Sequence, residues 1–399
     1  MADAEEEATG EEHPDGPAYS LVQLVRYFLK LGTIGFGGPV ALTGYMQRDL
    51  VEGHGWITQA EYRNGLALAQ LAPGPLAAQL AIYLGFVDYG VLGATLVAIA
   101  FVLPSFIIVV VGGWLYVAYA GLSWIQDVFY AVGAAVIGII ANSAYKLTTR
   151  TIGRDPLLLG IFAVLTTYTA VKRTENIALF LAAGMLVYLV RTPPRGLPWA
   201  ERAARGVWLL PLALHGRPIP RAERSTLIDI ALFFSTAGAF VFGSGLAIVP
   251  FLYGGVVEHF HWLNEREFLD AVAVALITPG PVVITTGFIG FLVAGFPGAT
   301  LAAVATFLPC YLFTVVPARW FRKHGKRPGI AAFVDGVTSA AVGAITGAVI
   351  VLGRGSIVDL TTALIALVTV ALLVRFGRRA PEPVIVAAAA VLGLALRAG

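Results

Sequence analysis

The chain has 399 residues, of which 58% are hydrophobic and only 13% are charged, and its formal net charge is +3 at pH 7. Because a soluble domain carries about 25% charged residues, this composition excludes an ordinary soluble protein and indicates a membrane protein with many spans. The single cysteine, Cys310, allows no internal disulfide, and its apolar neighbours favour a small buried residue over a reactive thiol.

Residues 1–18 are predicted to form a disordered acidic tail. They contain five glutamates and two aspartates, and they lack the basic start and apolar core of a cleavable signal peptide. A segment of this composition cannot bury enough apolar surface to fold.

The first half of the membrane region, residues 19–190, is predicted to begin with a broken span at about 19–46, because glycines and a proline interrupt its helix. Thr58 and Glu61 form a capping box before a half-helix over 61–71, and a second half-helix covers 76–87. Each is shorter than the ~20 residues that cross a bilayer, and Pro73-Gly74-Pro75 separates them, so they form either a re-entrant hairpin or a broken span. Spans follow at about 91–118, 125–145, 157–170 and 176–190.

The second half, residues 227–399, repeats this plan after an Arg- and Pro-rich linker at 191–226. Three pairs are each separated by 206 positions: Trp56 and Trp262, Glu61 and Glu267, Pro73 and Pro279. After one missing residue, Pro104 and Pro309 are separated by 205. The predicted elements are a span at 228–257 broken at 243–245, half-helices at 267–277 and 282–293, and spans at 300–316, 329–352, 357–374 and 384–396.

Basic residues predict how the spans are oriented. If each half-helix pair enters and leaves on one face, each half crosses five times, and this odd number inverts the second half relative to the first. With the linker in the cytoplasm, nineteen Lys and Arg residues fall inside and five outside, as the positive-inside rule requires. The loop at 119–124 has no basic residue, whereas its counterpart at 319–327 has five, which favours inversion. Both termini are then expected outside.

The sequence therefore predicts an all-α polytopic membrane protein made of two inverted repeats. Each repeat has about five spanning helices plus a broken or re-entrant half-helix pair. In a membrane chain of this kind, corresponding Gly/Pro-interrupted segments in the two halves indicate a transport site.

Three motifs mark the predicted breaks: Phe-Gly-Gly-Pro at 36–39, Ala-Pro-Gly-Pro at 72–75 and Thr-Pro-Gly-Pro at 278–281. Together with Gln70 and Gln79, they resemble the chromate ion transporter family of the long, two-domain type, over roughly 19–145 and 227–352. The resemblance implies an exporter of chromate in the bacterial inner membrane that confers chromate resistance, with sulfate as a competing oxyanion. Because Gly38-Pro39 becomes Ser244-Gly245 in the second copy, equal roles for the two halves are not expected.

The breaks are also where an oxyanion could bind. A helix that starts inside the membrane presents free N–H groups and the positive end of its dipole, and a proline suits its first turn. The alternative is that Pro-Gly-Pro only kinks a helix and that glycine only permits close packing. The predicted substrate-binding residues at the breaks are Gly37, Gly38, Pro39, Gln70, Pro73, Gly74, Pro75, Leu76, Gln79, Gly243, Ser244, Gly245, Thr278, Pro279, Gly280, Pro281 and Val282.

Arg26 and Lys30 lie four residues apart inside the first predicted span, on one helical face. A charge at the centre of a membrane helix costs about 2.5–3.5 kcal/mol in insertion scales, so each needs a partner or a purpose. One hypothesis is an anion-attracting pair, and the other is that they extend to the interface or pair with an acidic residue.

Glu61 and Glu267 occupy matched positions. They are either capping-box glutamates or carboxylates that couple transport to protons, and Arg63 beside the first half-helix is a further coupling candidate. We expect no enzymatic activity, cofactor, metal or nucleic-acid partner. The expected partners are chromate, membrane lipid and a second copy in a homodimer, and the alternatives are a sulfate or other oxyanion transporter and an oxyanion channel.

Overall fold

The computed structural model describes residues 19–36, 38–119, 123–172, 177–192, 226–241, 245, 248–324, 328–376 and 382–397, and every regular element in these ranges is helical. The first half contains α1 Leu21–Ile34, α2 Gly38–Met46, α3 Gln59–Leu71, α4 Leu76–Tyr119, α5 Ser123–Thr151, α6 Pro156–Lys172 and α7 Ile177–Arg191. The second contains α8 Thr226–Phe240, α9 Ile248–Tyr253, α10 Glu265–Ile277, α11 Thr285–Val315, α12 Ala318–His324, α13 Pro328–Ser356, α14 Leu360–Phe376 and α15 Glu382–Arg397.

The order of elements in the first half recurs in the second. The helices α3 and α10 have boundaries 206 positions apart, and α5 and α13 have boundaries 205 apart. Short π-helical segments, Gln47–Gly53 and Gly254–His259, continue α2 and α9. Sharp bends with positive φ occur at Gly90 (58°) and Gly295 (61°), which are also 205 positions apart.

The predicted half-helices α3 and the first leg of α4 form a hairpin that returns to its own side. The bend at Gly90 turns α4 back on itself, so that the backbones of Gly85 and Gly93 pack where no Cβ would fit. Tyr19 donates a hydrogen bond to Asp88 at the end of the first leg, and the Tyr19 ring stacks on Trp56 before α3 at 5.1 Å. Of the two arrangements open at the sequence level, these contacts favour the re-entrant one.

The first predicted span, 19–46, also folds back instead of running from one end of the bundle to the other. Tyr27 on α1 donates a hydrogen bond of 3.3 Å to Asp49 in the π-helical segment. The stack of Tyr19 on Trp56 likewise brings the start of α1 next to the residues that follow this segment. Residue 19 and Trp56 therefore lie on the same side, whereas a helix crossing the membrane over 19–46 would separate them. The chain breaks at 35–37, as expected, but α1 is too short to cross, and α2 with its π-helical extension returns beside it.

The two halves pack against each other in opposite directions along the second legs of α4 and α11. Thr95 Oγ1 lies 2.7 Å from Tyr311 Oη, and the rings of Phe106 and Phe296 lie 6.3 Å apart. Residues near the start of one leg thus contact residues near the end of the other, so the two legs are antiparallel. Two matched helices that pack antiparallel are related by a twofold axis perpendicular to them.

Two groups of contacts define the ends of the bundle. At the first, called here the Arg191 end, Arg191 bonds to Asp155 at 2.6 Å and to Asp335 at 2.5 Å. At the other, the Arg266 end, Tyr130 donates to Asp359, and a Cβ on Gly355 would lie 2.6 Å from Glu265 Oε2. Helix α13 carries both residues 335 and 355 and connects the two ends, since 29 residues extend about 43 Å.

The described residues that flank the linker lie at opposite ends of the bundle. Arg191 lies at the Arg191 end. Helix α8 begins at the Arg266 end, near Trp262, whose ring lies 6.0 Å from that of Phe233 on α8.

Four helical segments of the described chain are long and apolar enough to cross a membrane: Leu76–Tyr119, Asp127–Thr149, Val282–Val315 and Pro328–Ser356. Five shorter apolar helices accompany them, namely Pro156–Lys172, Ala178–Arg191, Thr226–Phe240, Leu360–Phe376 and Glu382–Leu396. This all-helical, apolar architecture is that of a multi-pass membrane protein, as the composition predicted.

Candidate functional site

The four breaks meet at one place, where the halves exchange backbone hydrogen bonds. The N–H of Gly74 donates to the carbonyl of Val241 at the end of α8, at 2.5 Å. Reciprocally, the N–H of Gly280 donates to the carbonyl of Gly35 at the end of α1, at 2.9 Å. Gly35 and Val241 are matched positions, as are Gly74 and Gly280. We call this place the crossing.

Both crossing glycines have positive φ, 142° at Gly74 and 95° at Gly280, which disfavours any residue with a Cβ. The space around each glycine also excludes a Cβ. A Cβ on Gly280 would lie 2.1 Å from Ser105 Oγ, and one on Gly74 would lie 2.7 Å from the Gln79 amide and 3.1 Å from Cys310 Sγ. The glycines are thus required where two backbones approach closely.

Two matched small residues, Ser105 and Cys310, lie at the crossing and are both fully buried. Ser105 Oγ donates a hydrogen bond of 2.6 Å to the carbonyl of Pro279, whereas Cys310 offers only a weak donor beside Gly74. The expectation of a buried cysteine therefore holds, but this cysteine lies closer to the candidate site than its sequence context indicated.

New helices start at the crossing, as the prolines predicted. Helix α4 begins at Leu76, so the N–H groups of Leu76, Ala77 and Ala78 have no partner within the helix. In the second half a 3₁₀ turn, Val282–Ile284, follows Pro281, and α11 begins only at Thr285. The two starts are equivalent in position but differ in geometry.

Gln79 is the buried polar side chain closest to these donors. It is completely buried, and its Nε2 donates a hydrogen bond of 2.8 Å to the carbonyl of Pro73. Its Oε1 has no hydrogen-bond partner in the described structure. A buried amide held by one group only is adaptable, because a flip of the amide would present the Nε2 donors elsewhere.

A groove of about 470 Å³ leads from the surface to the crossing between α1 and the α2–π segment. Lys30 and Arg48 lie along it, and Gly35 forms its inner end. Arg48 is paired with Asp49 at 2.8 Å and lies over the ring of Tyr45 at 5.1 Å. We call this the Lys30 groove. It carries two cations against one carboxylate and is further lined by Tyr27, Leu31, Ile34, Gly53 and His54.

The matched region of the second half is filled with aromatic rings. Phe233 stacks on Phe251 at 5.4 Å and meets Phe260 at 5.5 Å, and Phe260 stacks on Trp262 at 4.2 Å. The residues that match Lys30, Arg48 and Asp49 are Thr236, Gly254 and Gly255. We call Phe233, Phe251, Phe260 and Trp262 the aromatic plug.

The remaining predicted site residues are distributed unevenly. Gly37, Gly243 and Ser244 lie outside the described residues. Gly38 has a φ of 72° and opens α2 together with Pro39, and a Cβ there would lie 3.9 Å from Glu382 Oε2. Gly245 is buried beside Val282. The Thr278 hydroxyl donates a hydrogen bond of 2.7 Å to the carbonyl of Val274.

The peripheral predictions lie further from the crossing. Arg26 is exposed on α1 and is not part of the Lys30 groove, and Gln70 and Arg63 are exposed on α3. Glu267 closes a capping box with Asn264, and Glu61 accepts a bond of 3.2 Å from the Thr58 hydroxyl. Glu267 thus has the contacts of a capping-box glutamate, whereas the capping box predicted at Thr58 and Glu61 is only half formed, because Glu61 bonds the Thr58 hydroxyl and not its backbone N–H.

Sequence reasoning missed Arg48 and Ser105. Arg48 was counted only as a topology signal, since nothing in the sequence shows that α2 folds back beside Lys30. Ser105 was noticed only as the counterpart of Cys310. The adjacent Pro104 in a matched Pro-Ser/Pro-Cys pair was the available indication that this position faces the other half.

Broken helices that meet inside an apolar bundle, with a polar groove leading to them, are typical of membrane transporters with internal repeats. The comparisons give the family. The chromate transporter family model matches the chain twice, at residues 22–189 and 228–394. The chain belongs to this family, as its motifs predicted.

Related proteins cover nearly the whole chain. A chromate transport protein of Cupriavidus metallidurans is 63% identical over 97% of this chain and 96% of its own length. A probable chromate transport protein of Synechococcus elongatus is 61% identical over 95% of this chain and 96% of its own length. A chromate transport protein of Pseudomonas aeruginosa is 30% identical over 85% and 82%, respectively. No solved structure matches the chain.

Proposed function

We propose that this protein is a secondary active transporter that exports chromate across the bacterial inner membrane and so gives chromate resistance. The crossing carries the proposal: two broken-helix pairs from opposed halves meet there through the reciprocal bonds of Gly74 and Gly280. The names of the two relatives above 60% identity supply the substrate.

Chromate is a tetrahedral dianion, and a dry site must replace its hydration with donors and positive potential. The free N–H groups of Leu76, Ala77 and Ala78 and the positive end of the α4 dipole supply both. Gln79 adds adaptable amide donors, and Gly38 allows close approach at the start of α2. In the second half, the turn at Pro281 and Val282 supplies the matching backbone, with Thr278 and Gly245 beside it.

The anion reaches the crossing through the Lys30 groove, where Lys30 and Arg48 attract it. Arg26, one turn from Lys30 on α1 and exposed, extends this positive surface outward. The matched second-half region holds the aromatic plug and no matching cation, so we expect the anion to enter from the side of the Lys30 groove.

We place the Arg191 end in the cytoplasm and the Arg266 end outside. The described chain has Arg48, Arg63, Lys146, Arg154, Arg191, Arg319 and Arg375 on segments at the former, against Lys172, Arg266, Arg354 and Arg397 at the latter. The second half is then inverted relative to the first, which the opposed packing of α4 and α11 supports. The first described residue, Tyr19, falls on the cytoplasmic side, and the predicted outside location of both termini is revised for the N-terminal one.

Membrane potential can drive export. Moving one charge through 100 mV is worth about 2.3 kcal/mol, so a dianion leaving a negative-inside cell gains about 4.6 kcal/mol per 100 mV. This corresponds to a gradient of about three decades. Proton antiport would add to this driving force.

Everted membrane vesicles test the proposal with labelled chromate. We expect saturable uptake that increases when the vesicle interior is made positive, and inhibition by excess sulfate because the two dianions share shape and charge. Vesicles from cells with an empty vector are the control. Uptake that ignores an imposed potential would contradict electrogenic export, and sulfate uptake without chromate uptake would favour a sulfate transporter. A channel is excluded if preloaded chromate accelerates uptake by counterflow.

A further inference from the structure

A carboxylate is buried in the bundle away from the crossing. Asp270 on α10 is only 3% exposed, and its Oδ2 accepts a hydrogen bond of 2.7 Å from Tyr116 Oη on α4. The Tyr116 ring packs against Phe129 and Phe288, each at a centroid distance of 5.7 Å. An ionised carboxylate in such surroundings loses far more hydration than one hydrogen bond replaces, so its neutral form is competitive.

Asp270 lies between the outer end of the bundle and the crossing. Helix α10 starts at Glu265, at the Arg266 end, and leads to Gly280. Helix α10 ends at Ile277, which is seven residues or about 10 Å of helix beyond Asp270, and three further residues reach Gly280. The carboxylate is therefore near enough to the outer side to receive a proton, and on the element that positions the second half of the crossing.

The Tyr116–Asp270 hydrogen bond joins the two halves, since α4 belongs to the first and α10 to the second. Its strength depends on the charge of the carboxylate, because a bond from a hydroxyl to a carboxylate is about twice as strong as one between neutral groups. Protonation of Asp270 therefore weakens a contact that holds α4 against α10.

The positions related to this pair by the repeat carry no titratable group. Asn64 of the first half corresponds to Asp270, and Phe321 of the second half corresponds to Tyr116. The duplicated fold therefore does not require a carboxylate or a phenol at this place.

Several other charged groups surround α10. Arg266 and Glu267, on α10 itself, act on Asp270 through their charges, with opposite signs. The elements packed against α10 are α4, α5, α9 with its π-helical segment, α11, α13 and α15. Their described titratable groups towards this region are Tyr116, Asp127, Tyr130, Tyr253, Glu258, His259, Arg354 and Glu382.

We propose that Asp270 is the proton-binding carboxylate that couples chromate export to proton uptake, an inference that rests on the proposed function. The carboxylate takes one proton from the outer side, Tyr116 loses its charged acceptor, and α10 is freed to move relative to α4. The proton leaves on the cytoplasmic side in the return step. Glu61 and Glu267, which cap their helices, are not needed for this role.

The test uses everted vesicles in which valinomycin and equal potassium hold the potential at zero while the interior is made acidic. We expect wild-type chromate uptake to rise several-fold with the pH step. Asp270→Asn, which places the first half's amide at this position, should abolish that rise while keeping uptake driven by an interior-positive potential. Tyr116→Phe should keep the response but shift its midpoint pH.

Glu267→Gln and Glu382→Gln are the matched controls and should respond like the wild type. A full response in Asp270→Asn, or its loss in Glu382→Gln alone, overturns the proposal. If Asp270→Asn loses all uptake, Asp270→Glu decides, because a restored pH response supports coupling and its absence contradicts it. Wild-type uptake driven by potential but indifferent to pH rejects this inference alone, whereas no wild-type uptake at all rejects the proposed function.

Discussion

The first hairpins of the two halves share a similar backbone and aromatic side chains at matched positions, but they differ in charge. In the first half, α1 and the α2–π segment enclose a groove of about 470 Å³ with Lys30 and Arg48 along it. In the second half, the matched α8 and α9–π segments are closed by the aromatic plug. Duplication gave both halves a similar frame, and the cations Lys30 and Arg48 of the first half are replaced by Thr236 and Gly254 in the second.

For the proposed function, this difference separates substrate binding from access. Both halves contribute backbone groups to the crossing. The cations that line the groove belong to the first half, and their matched residues in the second are uncharged. Unequal roles for the two halves were predicted from the change of Gly38-Pro39 to Ser244-Gly245. Ser244 lies outside the described residues, and the difference in charge between the two hairpins is consistent with that prediction.

The largest effect is expected at the crossing, where the halves should be equally sensitive. Gly280→Ala and Gly74→Ala each place a Cβ against a neighbour and force an alanine into positive φ. Left-handed backbone alone costs about 1–2 kcal/mol. We expect both variants to lose chromate transport and to melt at lower temperature in detergent, as measured by thermal unfolding and vesicle uptake.

Gly44→Ala is the control for these variants, because no atom lies within 4 Å of its Cβ position and it is helical. It should keep both activity and melting temperature. If only one of the two crossing glycines proved sensitive, the halves would not share the site equally.

The next effect is expected in the groove, where the halves should differ. Lys30→Ala and Arg48→Ala each remove a cation on the anion's route, and loss of about 1.4 kcal/mol of attraction is a tenfold change. We expect the apparent KM for chromate to rise up to about tenfold at low ionic strength and less at high salt, as measured by initial uptake rates. Arg26→Ala should have a smaller effect of the same sign.

The second half provides the control. Thr236→Ala, at the position that matches Lys30, removes no charge and should leave KM unchanged. An equal KM increase in both halves would show that the groove does not select the side from which chromate arrives.

The smallest effect is expected at the Arg191 end. Arg191 is one-third exposed, so its ion pairs with Asp155 and Asp335 are screened and together worth about 1 kcal/mol or less. Its bond to Asp155 holds the pKa of that carboxyl below the ordinary value of 3.8. The stabilisation is therefore present above pH ~4 and lost as pH falls through the lowered pKa.

Thermal unfolding of Arg191→Ala checks this. The variant should melt a few degrees lower than the wild type near neutral pH, and the difference should shrink below pH ~4. A difference that is unchanged in acid would mean that Arg191 stabilises the bundle by packing and not by charge.

The sequence predicted the helical class, the repeat and the breaks, because composition and the matched Gly/Pro motifs depend only on local residues. It also predicted the helix start at Leu76, since Pro75 and Gly74 specify that turn. It failed for 19–46, because nothing local distinguishes a broken span from a segment that folds back. That outcome depends on long-range contacts, such as Tyr19 with Trp56 and Tyr27 with Asp49.

The candidate site was predictable in its backbone and less so in its side chains. Gly74, Gly280 and Gln79 all lie at the crossing, whereas Gln70 and Arg63 are exposed. Asp270 was not predicted, because the sequence around a single acidic residue in a helix indicates neither its burial nor its hydrogen bond to Tyr116. Both depend on how α10 packs against the other half.

The reciprocal bonds of Gly74 and Gly280 have a consequence for how such a chain can be divided. A polypeptide with only one half would leave a glycine N–H and a helix-terminal carbonyl without acceptor or donor in the lipid, at a cost of several kcal/mol each. Each half therefore completes the other, and a gene encoding one repeat would make a protein that is stable only when two subunits associate. Fusion of the two repeats in one chain keeps their ratio fixed and lets each copy evolve separately.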